Sequence, residues 1–595
     1  MTLGVADRQG NLLDDMSGYC EKALAPDSIY AFLHRERDRL FPDGDFADLY
    51  EDTGRCSVPP SVVASVMVLQ RLAGLSDREA TERYSFDARW RYACGVGSYD
   101  TGGWAGFSHT VLVEMRMRLR GSKRPDRVFE AALDAAKAAG LVGRKRVVDS
   151  TPLLDAVATM DTITLIRSAI RGLLRAADDE LRTELQAVLS SGDDYASHAK
   201  PPVDWDDKQA RAELVDSRAK DGFALVLELS GRELSEAVLQ AAVLLATVLG
   251  QDLEESEDGR FAIARRVAKD RVISTVDPET RHGHKSSAHG FDGYKGHVAI
   301  DPDSEIITAT TVTPGNAGDA SVAADLIADL LGDDEHGEAE HGEAEHGEAE
   351  HGEAEHGEAE PCGDERETGD IAENAERDST DAAEGPSADL LGEAGDDEVD
   401  DDDAGENTAT VYGDNAYGSG AFQQLLEEQG IESRAKTQDP VAKSGLFTKD
   451  RFSIDLEHDR VTCPAGVTVE IRRHADGSGT AAFADHCASC PLREQCTTAA
   501  GGRTVSIGVN EDVLSRARAR QKDPGWMQDY RGTRPKVERK IAHLVRRKHG
   551  GRRARVRGRE RVGQDFTFLA AAVNLARLAT LGTRSNATGW SCRMA

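Results

Sequence analysis

Hydrophobic residues recur at helical spacing through the first part of the chain. From Ser61 to Leu75 the apolar positions define one face of a helix, formed by Val62, Val63, Val66, Leu69 and Leu72. The sequence breaks at residues 74–76, and Ser76 suits the N-cap of a second helix that begins at Asp77. Two helices joined by a short turn fit a helix-turn-helix DNA reader or an ordinary helical hairpin. Neighbouring arginines favour the DNA reader slightly.

From Lys145 onward, short apolar runs that predict strands alternate with segments of helical periodicity. The predicted strands are 145–149, 293–300, 306–312, 408–412 and 432–437. The predicted helices are 165–174, 210–229, 234–249, 321–331, 421–429 and 566–581, together with a basic helix around Glu538. The pattern therefore predicts an α/β core that a long helical insertion interrupts after its first strand.

One internal segment has a composition that cannot form a packed core. Residues 336–360 are five identical copies of the pentapeptide HGEAE, and acidic sequence continues through Asp403. Aromatic and β-branched residues are almost missing there, so too little apolar surface exists to offset the entropy of folding. We interpret this segment as a disordered acidic linker. Weak binding of transition metals by its histidines is the less favoured alternative.

The acidic segment also dominates the charge of the chain. The formal net charge is −34, which alone would argue against a nucleic-acid partner. Residues 331–408 hold 32 acidic side chains and two arginines, so this segment has a net charge of −30. The rest of the chain therefore has a net charge of only −4. Residues 516–561, in contrast, contain 18 Lys or Arg and four acids. One basic surface on an otherwise nearly neutral protein is compatible with DNA binding.

Three carboxylates occur where a fold can bring distant residues together. Asp149 and Asp414 each end an apolar run, and Glu538 lies on the basic helix beside its apolar face, with Arg534 and Arg539 expected in solvent. Mg²⁺ prefers carboxylate oxygens and water, and a pair of such ions can cleave phosphodiesters. We predict that Asp149, Asp414 and Glu538 form a catalytic site for Mg²⁺ or Mn²⁺. A solvated acid paired with a neighbouring cation is the alternative for Glu538.

Four cysteines cluster within 34 residues, at Cys463, Cys487, Cys490 and Cys496. The Cys-x-x-Cys spacing lets two thiolates bind one ion, and four thiolates complete a tetrahedral Zn²⁺ site. The surrounding sequence is poor in large apolar residues, so a metal would contribute to its stability. We predict a structural zinc site. Uncoordinated reduced cysteines and a redox pair remain alternatives.

Cations are dense around and after the helix that carries Glu538. The predicted DNA contacts are Arg531, Arg534, Arg546, Arg547, Lys548, Arg552, Arg553 and Arg555. Contacts between such side chains and phosphates give salt-sensitive affinity that depends little on sequence. RNA binding and a merely solvated basic face are the alternatives.

Several motifs together resemble bacterial insertion-sequence transposases of the DDE type, in the branch with a Tyr–Arg–Glu–Lys signature. They are Asp149-Ser150-Thr151, Asp292 to Val298, Tyr412 to Gly418, and the series Tyr530, Arg534 and Glu538; residues 41–121 also resemble the family's N-terminal helical domain. Two positions depart from the signature. Thr533 stands where the family has arginine, and Val545 stands where it has lysine.

The resemblance implies an RNase H-like mixed-sheet catalytic core and a metal-dependent transposase. Such a protein binds the terminal inverted repeats of its own element, cleaves the DNA and transfers the strand, and it acts as a homodimer on double-stranded DNA. An inactive DNA-binding relic or repressor, and a nuclease without strand transfer, are the alternatives. No secretion signal or membrane span is visible in the sequence, so we expect a cytoplasmic, nucleoid-associated protein without a membrane partner.

The predicted domains follow from these patterns. The first is a helical N-terminal DNA-binding domain (1–125), followed by a first part of the catalytic core (141–331) that contains the helical insertion (153–270). The acidic linker (332–407) comes next. A second part of the core (408–581) contains a four-cysteine insertion (455–500) and the basic region (516–561), and a disordered tail (582–595) follows it.

Overall fold

A mixed β-sheet near the middle of the chain is the element that positions the predicted site. The structure is a computed structural model, and it describes residues 1–331 and 408–593 except 6–14, 98–105, 156, 158, 257, 287–288, 443–444 and 588. The predicted acidic linker, residues 332–407, lies outside the described residues.

Among the residues that the structure describes before the sheet, seven segments form α-helices. They are α1 (Asp15–Ala23), α2 (Ile29–Leu40), α3 (Pro60–Ala73), α4 (Asp77–Phe86), α5 (Ala88–Ala93), α6 (Thr110–Arg120) and α7 (Arg127–Ala138). Helix α3 is buried along nearly its whole length. The predicted N-cap is present: the Ser76 hydroxyl accepts from the backbone N–H of Glu79, whose side chain accepts from the N–H of Ser76. This capping box satisfies two amides that would otherwise lack partners.

The central sheet is formed by β1 (Lys145–Leu154), β4 (Arg281–Ser286), β5 (His289–Ile300), β6 (Ile307–Pro314), β7 (Thr410–Gly413) and β8 (Glu432–Ala435). The strand order is β4-β5-β1-β7-β8, and β6 also pairs with β5. Strand β1 runs antiparallel to β5 and parallel to β7, and β7 runs parallel to β8. This mixed sheet, flanked by helices, is consistent with the predicted RNase H-like core.

The segment between β1 and β4 is mainly helical, as the sequence predicts. It contains α8 (Thr162–Ala176), α9 (Asp179–Ala187), α10 (Lys208–Leu229) and α11 (Glu236–Asp252), followed by the short strands β2 (Leu253–Glu255) and β3 (Phe261–Ile263). The helices enclose an apolar cluster of their own, which includes Leu165, Ile170 and Leu245. The insertion therefore has a separate core and does not depend on the sheet for its burial.

The remaining elements follow the sheet strands or connect them. Helix α12 (Ala323–Leu326) precedes the linker, and α13 (Gly420–Glu428) connects β7 to β8. Small sheets contain β9 (Ser453–Asp455), β10 (Arg460–Thr462), β11 (Thr468–Glu470), β12 (Arg472–Arg473), β13 (Gly479–Ala482) and β14 (Thr504–Ile507), with helix α14 (Arg493–Cys496) between the last two. The last helices are α15 (Glu511–Arg520), α16 (Pro524–Thr533), α17 (Pro535–Leu544) and α18 (Arg559–Thr580), and the chain ends in β15 (Arg584–Asn586) and β16 (Gly589–Ser591).

Helix α18 joins the N-terminal helices to the sheet. It packs against β6 on one side and against α3 and α7 on the other. Asn574, fully buried on this helix, accepts from the backbone N–H of Ile307 and donates to its carbonyl. The N-terminal helices and the catalytic core therefore share one hydrophobic core.

Three predicted elements differ from the observed ones. The strand predicted over 145–149 continues to Leu154, so Asp149 lies within β1 and not at its end. The helix predicted over 321–331 is reduced to the four residues of α12, because the chain enters it through a 3₁₀ turn and leaves through further turns. Within the predicted disordered tail, β15 and β16 form an antiparallel hairpin. Trp590 of this hairpin packs on the main core, where the Arg39 guanidinium lies 5.4 Å from its ring centre.

Candidate active site

Two neighbouring parallel strands bring Asp149 and Asp414 side by side. In the register of β1 and β7, Val147 pairs with Tyr412, and each aspartate lies two positions further along its strand direction. Buried apolar residues precede both aspartates and fix the two strands in the core. Two acids far apart in sequence thus lie on neighbouring strands, Asp149 within β1 and Asp414 directly after β7.

Helix α17 brings Glu538 to the same part of the sheet. Pro535 occupies the first turn of this helix, where its missing N–H removes no hydrogen bond. Val537 and Leu544 are fully buried, and the helix packs against β1 and β5. Glu538 lies beside this buried face, with its side chain 65% exposed.

A single guanidinium lies among the three carboxylates. Nη2 of Arg534 is 3.0 Å from Oδ1 of Asp149 and 3.8 Å from Oδ2 of Asp414, and its Nη1 is 3.7 Å from Oε1 of Glu538. The sequence-based prediction that Arg534 stays in solvent is wrong, because only 6% of the residue is exposed. The break between α16 and α17 turns this side chain inward.

The burial of the site shifts the ionisation of its groups. Burial raises the pKa of Asp149; the Arg534 charge opposes this shift, and the Asp414 charge adds to it. Burial alone would lower the pKa of Arg534, but Asp149, Tyr530 and Asp414 more than offset that effect and raise it. Nε and Nη1 of Arg534 are buried and find no hydrogen-bond acceptor in the described part of the chain. The cation is held by charge more than by directed hydrogen bonds.

A second polar network supports the strand that carries Asp149. The Ser150 hydroxyl donates to Asp319 over 2.6 Å, and Lys295 donates to the other oxygen of Asp319 over 2.8 Å. The sequence offered Asp319 no role, although Lys295 lies in the stretch Asp292 to Val298 that resembles the family's second strand. Asp301, in contrast, accepts from the backbone amides of its own turn.

The Asp414 turn is held from behind by a buried pair. Tyr417 donates its backbone N–H to the carbonyl of Asp414, and its hydroxyl lies 2.9 Å from Nδ1 of His297. Nε2 of His297 lies 2.9 Å from the hydroxyl of Thr313. Strands β5 and β6 are therefore connected to the turn that positions Asp414.

The carboxylates offer the oxygen donors that a divalent cation prefers. Their common approach to one guanidinium shows that all three face the same small volume. Within the described ranges, no group of three or more His, Cys, Asp or Glu side chains is arranged to hold a metal ion. At the acidic site, the Arg534 guanidinium lies within 4 Å of all three carboxylates. The donor set fits a divalent cation once that guanidinium moves.

The other predicted cations are exposed. They are Arg531, Arg546, Arg547, Lys548, Arg552, Arg553 and Arg555. The backbone of this basic segment pairs with the end of β1: Leu154 donates to the carbonyl of Arg552, and Ala554 donates to the carbonyl of Leu154. Part of the basic surface is thus hydrogen-bonded to the strand that carries Asp149.

The four predicted zinc ligands line one small cavity in the region of the short sheets. Cys487 and Cys496 are buried, and Cys463 and Cys490 are partly exposed. The backbone N–H of Arg503 donates to Sγ of Cys487 over 3.4 Å. Burial raises the pKa of Cys496; nearby Arg503 opposes this shift and the other three cysteines add to it. The cysteines are neighbours, although they are not arranged as a closed metal site.

Three family models match the chain. A transposase DDE domain matches residues 265–338, a second transposase DDE domain matches residues 462–579, and a transposase domain matches residues 19–118. No curated protein and no solved structure matches the chain significantly. Glu538 lies inside a matched segment, whereas Asp149 and Asp414 lie outside all three. The assignment of these two aspartates therefore depends on the geometry described above.

Two of the three matches are to transposase DDE domains, and the N-terminal match is to a transposase domain as well. Together with the mixed sheet and the acidic residues beside it, these similarities are consistent with an insertion-sequence DDE transposase. In the described part of the chain, no helix combines the length and the apolar character needed to cross a membrane.

Proposed function

We propose that this protein binds the terminal inverted repeats of its own insertion sequence, cleaves the DNA and joins the freed 3′-hydroxyl to a target. The observation that supports this proposal most strongly is the convergence of Asp149, Asp414 and Glu538 on one centre at the edge of the sheet. Binding of double-stranded DNA, pairing of two element ends by a homodimer, and a location at the nucleoid are parts of the same proposal.

Each carboxylate has a distinct position in the proposed mechanism. Asp149, on the central strand, would hold the divalent cation together with Asp414 and Glu538. Bound Mg²⁺ or Mn²⁺ would activate the attacking hydroxyl and stabilise the leaving oxygen. The chain itself orients the oxygen donors, through the Ser150–Asp319 contact behind Asp149 and the Tyr417–His297 contact behind Asp414.

The exposed cations are suited to hold the DNA beside these carboxylates. Arg546, Arg547 and Lys548 follow α17 directly, and Arg552 and Arg553 lie where the chain pairs with β1. Phosphate contacts from these residues would place the backbone near Asp149 without reading its sequence. Arg534 is not available to a phosphate while it pairs with Asp149, so its DNA contact would require the same movement that admits a metal.

Structural Zn²⁺ held by Cys463, Cys487, Cys490 and Cys496 is a further part of the proposal. Their common cavity and the amide that Arg503 directs at Cys487 support it, because amides commonly orient thiolate ligands from behind. Zinc would tie together short strands that have only a small apolar cluster of their own.

The first experiment is cleavage of a plasmid that carries the DNA flanking the gene, in the presence of Mg²⁺. The wild-type protein is compared with Glu538→Gln and with Glu560→Gln, an exposed acid of the same basic region. We expect nicks at the element ends for the wild-type and Glu560→Gln proteins and none for Glu538→Gln. Equal cleavage by all three proteins would remove Glu538 from the site.

The same assay separates the alternatives. Binding of the ends without cleavage by any of the three proteins would indicate a DNA-binding relic or repressor. Cleavage at the ends without joining to a second DNA would indicate a nuclease that lacks strand transfer.

A further inference from the structure

A cavity of about 230 Å³ lies between the N-terminal helices and the C-terminal basic region. Five arginines line it, contributed by α3, by α6, by the stretch that leads into α18 and by the first turn of α18. They are Arg71, Arg116, Arg120, Arg555 and Arg561. We call it the arginine cavity. It is separate from the acidic site, because none of Asp149, Asp414, Glu538 and Arg534 lines it.

The arginine cavity holds more positive charge than its own acids neutralise. Arg71 forms two hydrogen bonds of 3.0 and 2.9 Å with the carboxylate of Asp565, and Arg116 donates to Asp77 over 2.6 Å. Asp77 and Asp565 are the two acids that line the cavity. Three of the five guanidiniums therefore remain without a carboxylate from the lining.

Arg555 lies close enough to the other cations of the lining to be disfavoured by them. It donates to the carbonyl of Leu75, a neutral partner. Partial burial lowers the pKa of Arg555 and the positive charges of Arg71 and Arg116 lower it further, while Asp565 and Asp77 oppose the shift. An anion in the cavity would offset both the desolvation of Arg555 and its repulsion by neighbouring cations. A bound water carries no charge and cannot do this.

Two buried donors in the lining also lack an acceptor. Nη2 of Arg120 donates to Oε1 of Gln564 over 3.3 Å. The two donors at issue are the Nε of Arg120 and the Nε2 of Gln564. Both of these nitrogens are buried and have no hydrogen-bond partner among the described residues. Buried donors without acceptors are rare in folded proteins, so two in one positively charged cavity indicate a missing acceptor.

We propose that the arginine cavity binds a phosphate group of the DNA backbone. The proposal rests on the proposed function, which supplies the DNA. Arg555 and Arg561 are exposed, so a phosphate on a bulky duplex can reach the cavity mouth. The cavity is built from both the N-terminal helices and the region that pairs with β1, so one phosphate would be held by both parts of the protein at once.

Two variants test the cavity without removing a buried ion pair. Gln564→Glu keeps the shape of the side chain and supplies the missing negative charge beside Arg120. Arg561→Gln removes an exposed cation of the lining. Arg559→Gln is the matched control, because Arg559 is exposed, lies two residues away on α18 and does not line the cavity.

The first measurement is thermal unfolding of the full chain in sodium phosphate and in sodium chloride at equal ionic strength. Phosphate should raise the Tm of the wild-type and Arg559→Gln proteins more than chloride does, and this difference should vanish in Gln564→Glu. The absence of any phosphate-specific shift in the wild-type protein would overturn the proposal.

The second measurement is binding of a duplex with the element end, in EDTA and at several salt concentrations. Loss of one phosphate contact should lower the slope of log K against log salt by about 0.9 for Gln564→Glu and Arg561→Gln. Affinity at about 0.1 M salt should fall roughly tenfold, and Arg559→Gln should resemble the wild type. An unchanged slope beside a phosphate-specific Tm shift would identify a site for free phosphate and overturn the DNA assignment.

These two measurements distinguish failure of the inference from failure of the proposed function. Cleavage is not needed for either readout, so an inactive protein can still support the arginine cavity. Wild-type protein that binds no duplex at all would instead overturn the proposed function, on which the DNA assignment rests.

Discussion

Nη2 of Arg534 and Oδ1 of Asp149 are 3.0 Å apart, and this ion pair fills the place where the carboxylates converge. The guanidinium offsets the charge of one of the three carboxylates before any metal arrives. Metal binding must then displace a guanidinium as well as water, so the affinity of the site for metal is set in part by Arg534.

We predict that Arg534→Gln changes stability and metal affinity in opposite directions. In EDTA the free energy of unfolding should fall by about 3 kcal/mol, because the buried Asp149 loses its partner. Mn²⁺ should then stabilise the variant more than the wild type, as measured by denaturant unfolding at increasing Mn²⁺ concentrations. Arg531→Gln, an exposed control one turn earlier, should change neither quantity. An Arg534→Gln variant with unaltered stability in EDTA would show that the Arg534–Asp149 ion pair does not stabilise the folded protein.

The buried His297 should make stability depend on pH. Burial lowers its pKa to about 4, with Asp319 opposing and Lys295 adding to the shift. The imidazole of His297 takes up a proton near pH 6.5 in the unfolded chain and only near pH 4 in the folded protein. The free energy of unfolding is therefore highest above pH 6.5 and falls as the pH decreases toward 4. We expect the free energy of unfolding to fall by about 3 kcal/mol between pH 6.5 and 4, measured by urea unfolding. His297→Gln should lack this part of the pH dependence; an identical profile for both proteins would contradict the prediction.

Purified protein should contain about one equivalent of zinc if the four cysteines bind the ion. Metal analysis by mass spectrometry measures the content, and a strong chelator should lower the Tm. Cys490→Ser should lose the zinc, whereas Cys56→Ser, which changes an exposed cysteine elsewhere, should retain it. Zinc-free wild-type protein that a chelator leaves unaffected would favour the uncoordinated cysteines.

The Ser76 cap should contribute measurably to the N-terminal helices. Ser76→Ala removes the side-chain acceptor for the Glu79 amide and should lower the free energy of unfolding by about 1 kcal/mol. Ser76→Asp, which can still accept this hydrogen bond, should retain most of the stability. Equal losses in both variants would mean that the serine acts through packing instead of capping.

The sequence predicted those parts of the fold that depend on local patterns. The apolar run before Asp414 indicated a strand end, and the serine before Asp77 indicated a helix start; both are present. The apolar run before Asp149 indicated a strand correctly, but that strand continues to Leu154. The two aspartates could be paired because neighbouring parallel strands carry residues after matching apolar runs to the same part of a sheet.

The features that sequence reasoning missed arise from contacts between distant segments. Arg534 follows Tyr530 on a highly charged stretch, and such patterns normally indicate a solvated face. Its burial depends on the packing of α17 against β1, more than 380 residues away in sequence. Asp319 likewise gains its partners Ser150 and Lys295 only when β1, β5 and the turn after β6 come together. Trp590 of the terminal hairpin was missed because so short a segment has no periodicity to detect.

The central sheet is assembled from two stretches of chain on either side of the acidic linker. Strand β7 begins two residues after the linker, yet it pairs with β1, and α18 packs on both β6 and the N-terminal helices. Cutting the linker would break none of these contacts, although association of the two fragments would then carry the entropic cost of a bimolecular reaction. Residues 1–331 and 408–595, produced as separate polypeptides, could therefore reassemble into a split enzyme. Its carboxylates would come from different molecules, with Asp149 on the first fragment and Asp414 and Glu538 on the second.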